Sequence, residues 1–293
     1  MSGINGQGEM TNRSKPLLIR PMTIDDLRLG LRLSRQAGWN QTMADWQRFF
    51  NMGPEGCFIA EFGGHPVGTT MTFVSDLVAW IAMVLVEKNV RAKGIGTALL
   101  KHALEYIDAC KIRTVRLDAT HLGRPIYERL GFVPEYELVR FEGISLSGEV
   151  VTSVKKATPE LLTDVIEFDK RMTGENRTKM IQALFKEFQE NTSVLIHGDK
   201  LEGFVTMRSG SNAIQIGPCT ATSNAGPDLL SYALNKCAGK AVYIDIPTDN
   251  TNSVKIAESS GLKIQRRFVR MCRGMRITDN IEAIWASSGP EKG

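Results

Sequence analysis

The sequence predicts an α/β fold with a mixed sheet, built as two similar units in tandem. Three observations carry this. Short apolar strands joined by glycine turns give way to alternating helices and strands over residues 17–145. Within them, Trp80 to Leu100 runs from an apolar strand through a basic, glycine-containing turn into an amphipathic helix. The same order of elements then recurs after residue 150. Alternation with period two marks the strands and a 3.6-residue period the helices. At 293 residues, 42% hydrophobic and 23% charged, the chain can bury a core in each unit.

Taken in order, Leu17–Arg20 reads as a strand. Thr23-Ile24-Asp25-Asp26 has capping-box spacing and acids in the first turn. The helix that follows carries Leu27, Leu31 and Ala37 on one face, widened by Leu29 and Leu33. A second helix is predicted over Met43–Phe50. Strands Cys57–Phe62 and Val67–Val74 flank the turn Gly63-Gly64-His65-Pro66, and Trp80–Val86 is the next strand. Helix Ile95–Cys110, strand Thr114–Ala119, helix Arg124–Arg129 and strand Tyr136–Phe141 complete the unit.

The second half aligns with this series as a diverged duplicate. Thr158-Pro159-Glu160 lies over Thr23-Ile24-Asp25, Ser193–His197 over Cys57–Glu61, and Leu201–Phe204 over Pro66–Thr69. Val242–Asp245 matches Val115–Asp118, Glu258–Leu262 matches Glu128–Phe132, and Val269-Arg270-Met271 matches Val139-Arg140-Phe141. The implied organisation is a leader over 1–16, domains over 17–145 and 150–284, and a flexible tail over 285–293.

The turn Arg91-Ala92-Lys93-Gly94-Ile95-Gly96 sets backbone N–H groups and a helix dipole toward one point in solvent, which makes an anion site. Gly94 and Gly96 permit positive φ and close approach, and Arg91 and Lys93 add charge. A dinucleotide fingerprint needs glycine where Leu99 stands, and a Walker loop needs a Gly-Lys-Ser/Thr that is absent.

The pair Arg91-x-x-Gly94-x-Gly96-x-Ala98 and Tyr127-x-x-x-Gly131-Phe132 resembles the GCN5-related N-acetyltransferases. The resemblance implies an acetyl-CoA cofactor. Its pyrophosphate would lie on Arg91, Ala92, Lys93, Gly94, Ile95, Gly96 and Thr97, and its pantetheine arm on the backbone of Val84, Leu85 and Val86. Thr120 stands where many members carry asparagine, and its hydroxyl can serve the same arm. Tyr127 would be the catalytic acid that protonates the departing thiolate, and the acetyl group would pass directly to a primary amine, a small molecule being favoured. In the second copy, Pro218–Pro227 lacks the glycine pattern and Ala257 replaces Tyr127. That copy is expected to be scaffold and acceptor-site wall, leaving one cofactor site per chain. It also resembles the C-terminal domain of a bacterial subgroup of tandem acetyltransferases.

Other classes are less well supported. Cys57, Cys110, Cys219, Cys237 and Cys272 show no paired spacing, and the four histidines are dispersed, so neither a disulfide framework nor a metal site is expected and a cytoplasmic location is. A net charge of +4 without a basic block disfavours nucleic acid, and no apolar run reaches membrane length. No carboxylate stands on Trp80–Val86 to act as general base. His121 is a weak candidate, Asp118 reads as structural, and a water chain is the default. Cysteine-based transfer, a silent acyl-CoA sensor and an interaction module are the alternatives. Monomer and homodimer are both open.

Overall fold

The computed structural model describes residues 16–289, so nearly all of the leader expected over 1–16 lies outside the described residues. Its first half comprises β1 (Leu17–Pro21), α1 (Leu27–Gln36), α2 (Met43–Met52), β2 (Cys57–Phe62), β3 (His65–Ser75), β4 (Val78–Val86), α3 (Ile95–Ala109), β5 (Thr114–Thr120), α4 (Arg124–Arg129) and β6 (Val133–Ile144). The second half repeats this as β7 (Val154–Lys156), α5 (Leu162–Thr173), α6 (Thr178–Phe188), β8 (Thr192–His197), β9 (Lys200–Ser209), β10 (Ile214–Ala221), α7 (Gly226–Lys236), β11 (Ala241–Pro247), α8 (Thr251–Ser259) and β12 (Lys263–Gly274). A last strand, β13 (Ile284–Ala286), has no counterpart among the described residues of the first half.

Local chemistry sets most boundaries as expected. The Thr23 N–H and hydroxyl both donate to Asp26 Oδ2 at 2.8 Å, closing one side of the capping box. The β2–β3 turn is tighter than predicted. Gly63 and Gly64 alone turn the chain at φ 61° and 78°, so His65 pairs directly with Phe62 and joins the strand.

The halves do not close into separate sheets. Strand order is β1-β2-β3-β4-β5-β12-β6-β11-β10-β9-β8-β7. The last strand of each half has crossed over, so that β12 lies between β5 and β6, and β6 between β12 and β11. The boundaries 17–145 and 150–284 therefore divide the sequence but not the sheet. Crossed ion pairs hold the exchange: Arg140 on β6 grips Asp245 on β11 through two bonds of 2.8 Å, and Arg270 on β12 grips Asp118 on β5 through two of 2.9 Å. These are the residues that the internal repeat superposes, each paired with the opposite copy.

One face of the sheet carries a shared core in which Leu33, Trp46 and Phe49 of α1 and α2 meet Phe168, Ile181 and Phe185 of α5 and α6. On the other face each half keeps its own: Leu99, Leu100 and Ile107 of α3 in the first, Leu229, Leu230 and Leu234 of α7 in the second. Across the shared face Asn40, beyond α1, donates to Ala213 O (3.0 Å) and accepts from the N–H groups of Asn212 and Ala213 (2.9 and 3.0 Å). Reciprocally, Asn176 beyond α5 binds Ser75 and Asp76 at the β3–β4 turn.

Of the tail expected to be flexible over 285–293, residues 285–289 are buried, and 290–293 lie outside the described residues. Trp285 is 1% exposed and Ser287 and Ser288 are buried, because β13 pairs with β10. The hydrophobic signal was too short, three residues, to read as a strand.

Two outcomes follow. Arg140→Met leaves Asp245 buried without its guanidinium and should lower unfolding free energy by about 3–5 kcal/mol in urea titration, with part recovered on adding Asp245→Leu. A chain ending at Glu149 lacks the strand that joins β5 to β6, and should not give a cooperative unfolding transition by circular dichroism.

Candidate active site

The parallel ladder between β4 and β5 holds only from Val78–Thr114 to Trp80–Arg116. Beyond it the strands part, leaving a slot bounded by two strand edges. On β4 a bulge redirects the backbone: Met83 has φ 52°, the register to β3 slips between Thr69 and Met71, and Thr69 Oγ1 donates to Met83 O at 2.7 Å. The Leu85 carbonyl lies toward β3, 3.0 Å from where a Gly68 Cβ would sit, and Glu87 N–H donates to Val67 O at 2.9 Å. By strand alternation, Val84 and Val86 turn their backbone groups to the slot and Leu85 does not. Of the three strand residues singled out by sequence, Leu85 instead fills the shared core.

At the end of the slot the basic turn bends at Gly94, while Gly96 lies inside α3 and outside the left-handed region. Gly94 caps α3 at φ 78°, and Ala92 also enters the left-handed region at φ 61°, a conformation that costs a non-glycine residue about 1–3 kcal/mol. Among the described residues no side chain caps this helix, so the first N–H groups, from Ile95, Gly96 and Thr97, point outward without a side-chain acceptor. The Ile95 side chain is buried in the core, leaving its backbone as its contribution. A Cβ on Gly96 would stand 3.7 Å from Val86, which brings the turn against the slot edge. Arg91 Nε donates to Val86 O at 2.9 Å, and Lys93 lies 5.0 Å over the Phe62 ring. The turn thus fits a phosphate, with backbone donors and two cations on an exposed helix start.

Thr120 and Tyr127 come together on the other wall. Thr120 Oγ1 accepts from Gly123 N–H at 3.3 Å, and a Cβ on Gly123 would meet the Tyr127 ring at 3.0 Å. Tyr127 packs edge-on against Phe132, with centroids 6.0 Å apart. Burial pushes its phenol up to about 12, so the hydroxyl keeps its proton at neutral pH.

Sequence reading missed a polar cluster at the base of the slot. Arg116 meets Glu135, Glu175 and Asp279 at 2.9, 2.7 and 2.8 Å. Tyr136 donates to Asp279 at 2.6 Å, and Arg270, paired with Asp118, lies 4.8 Å over Trp80 and 5.2 Å over Tyr136. Burial raises the Glu135 carboxyl despite Arg116, and lifts the Tyr136 phenol well above its usual value. Asp118 is structural, as expected, and His121 is exposed in the turn before α4. The repeat match of Arg140 with Arg270 was the one sequence signal for this cluster. Among the cysteines, Cys57 is buried and its thiol is pushed up to about 12, and burial likewise raises Cys219, Cys237 and Cys272. Thiol nucleophiles at these positions are therefore disfavoured.

In the second half, β10 and β11 part after Ile216 and Ile244. Here β13 enters: Cys219 pairs with Ala286 and Thr220 with Ile284, while Ser287 N–H donates to Asp245 O on β11 at 2.8 Å. The Trp285 ring lies against Gly226, the first residue of α7, where a Cβ would fall 1.8 Å from the ring. Ala257 is fully buried in the core.

A splayed parallel strand pair ending at a glycine-bent, basic helix start that fits a phosphate is the frame of an acyltransferase fold. The acetyltransferase (GNAT) family matches residues 24–132, and an acetyltransferase (GNAT) domain matches residues 165–286. The holothin acyltransferase of a Pseudoalteromonas species is 26% identical over 278 residues, covering 94% of each chain. An uncharacterised N-acetyltransferase of Methanocaldococcus jannaschii is 32% identical over 156 residues, 46% of this chain and 69% of that one. In structure, a proposed acetyltransferase of Pyrococcus horikoshii superposes with a TM-score of 0.81 at 24% identity, over 99% of this chain and 100% of that one. The chain belongs to the GCN5-related N-acetyltransferase family, with one such domain in each half.

Gly96→Asp places a carboxylate and a Cβ at the helix start and should abolish coenzyme A binding in calorimetry. With its folded pKa raised, the Tyr127 phenol titrates later than a free one, so the phenolate absorbance lost in Tyr127→Phe should be one that appears only near pH 12. The stability this group lends the fold should be full below about pH 10 and fade as the pH rises toward 12.

Proposed function

We propose that the chain transfers the acetyl group of acetyl-CoA directly to a primary amine of a small molecule, with the chemistry in the first half and the second half as scaffold and acceptor-site wall. The observation that carries this reading is the union, in one half alone, of a parted β4–β5 pair, an uncapped α3 start with Arg91 and Lys93, and a protonated Tyr127 on the facing wall.

The cofactor, when bound, supplies an acyl thioester that an amine can attack. The N–H groups of Ile95, Gly96 and Thr97, with Arg91 and Lys93, would hold its pyrophosphate. The backbone edges of Val84 and Val86 would pair with the amides of its arm as a neighbouring strand does, and donors so placed also suit a developing oxyanion. Tyr127, which keeps its proton at neutral pH, would give its Oη proton to the departing thiolate. The acceptor must arrive as, or become, a free amine. No single side chain is assigned that deprotonation, and water leading to solvent serves.

Support for a discrete compound as acceptor comes from the relative named holothin acyltransferase, which spans both halves. Retention of Tyr127 beside an intact turn favours an enzyme over a silent acyl-CoA sensor.

The test is a panel of amines assayed for release of free coenzyme A and for acetylated product by mass spectrometry. Turnover with at least one amine supports transfer, and tight acetyl-CoA binding without turnover on any amine supports the sensor. With the active amine, Tyr127→Phe should leave coenzyme A affinity near wild type and lower kcat by about 10²–10⁴-fold.

A further inference from the structure

The two halves share one device, a pair of parallel strands that part, but fill it differently. In the first half no strand among the described residues pairs along the diverging edges of β4 and β5. In the second, β13 lies between the diverging edges of β10 and β11 and bonds to both. It is held by more than its ladder. Asn250 Nδ2 donates to Ile284 O at 3.0 Å, and Ser253 Oγ donates to Trp285 O at 2.5 Å. Both donors stand at the start of α8, the helix that takes the place of α4, and both are buried. Gly226 provides the floor on which the indole rests, and Gly217 allows Ser287 O to approach where a Cβ would fall at 2.0 Å.

These contacts read an extended main chain. Three carbonyls of the insert, those of Glu282, Ile284 and Trp285, are met by side-chain donors, its edges by β10 and β11, and one side chain, Trp285, by a glycine-floored recess. We infer that the β10–β11 slot is a strand-binding site whose ligand class is an extended peptide with an aromatic residue at its centre, and that this chain supplies that peptide in cis as residues 281–289. The segment leading to it is anchored separately, on the first half: Thr114 Oγ1 donates to Met275 O at 2.6 Å, Arg116 donates to Ile277 O at 2.8 Å, and Asp279 pairs with Arg116 at 2.8 Å. The contacts that hold residues 284–287 come from β10, β11 and α8, and not from that anchored segment. The inference rests on the second half alone and stands whether or not the first half acetylates an amine.

The experiment uses the full-length chain carrying Trp285→Gly, which removes the central anchor, and a labelled synthetic peptide of residues 281–289. Anisotropy should show saturable one-to-one binding to the folded variant, reversed by unlabelled peptide and absent with a scrambled sequence. Wild type, its slot already filled, should bind about tenfold more weakly or worse, and the peptide should raise the melting temperature of the variant but not of wild type. A folded variant that ignores the peptide, or a wild type that binds it equally well, overturns the inference.

Should Trp285→Gly not fold, Gly226→Ala provides the second arm, since its Cβ collides with the indole. Hydrogen exchange of the amides of residues 284–287 should then quicken about tenfold or more while those of β4 and α3 are unchanged. Exchange at 284–287 as slow as in wild type overturns the inference by showing that the indole is not seated as described.

Discussion

The crossed exchange of β6 and β12 is the constraint on which the rest of the structure depends. A sheet strand buried in the middle must satisfy both edges, and here each half obtains a partner only from the other. Arg140–Asp245 and Arg270–Asp118 fix this arrangement at two equivalent points. A guanidinium buried on one strand has no solvent to turn to, so any other register or a separated half would strand a charge. Cooperative folding of the whole chain follows, and so does the shared core under α1, α2, α5 and α6.

Because β12 lies against β5, the exchange also reaches the site. Arg270 from the second half lies over Trp80, on the last rung before β4 and β5 part, and Asp279 from the same half joins Arg116 and Tyr136 below it. The base of the slot is therefore made by both copies, although the turn and Tyr127 belong to one. Duplication left two frames, and divergence assigned them different contents: a phosphate-fitting turn in one and the chain's own strand in the other.

This division has a simple physical basis. A parted strand pair exposes backbone donors and acceptors and an apolar floor, which are costly to leave buried and unmet. A frame without such a turn must either collapse or acquire another occupant. Trp285 over Gly226 is such an occupant, and it keeps the second core packed.

Much of this was legible in the residues. The capping box at Thr23, the paired glycines at 63 and 64, the basic glycine turn and the internal repeat are local or periodic signals, and local signals survive in a one-dimensional reading. The order of elements and the absence of the glycine pattern and of the tyrosine from the second copy were legible for the same reason. Strand partnership was not. Nothing in β6 or β12 states which neighbour each will take, because period-two patterning fixes a face and not a partner. The tail at 285–289 read as flexible because a three-residue strand carries no periodicity and its burial depends on a recess formed by Gly226, Asn250 and Ser253, far earlier in the chain. Likewise Leu85 was placed in the slot by its motif, and only the β-bulge at Met83, a product of pairing with β3, shows its carbonyl turned away. The sequence by itself determined the elements, the duplication and the one intact anion turn. Tertiary structure decided which strands pair, what lines the base of the slot and what fills its twin, since these are set by long-range packing and by the need to satisfy every buried polar group.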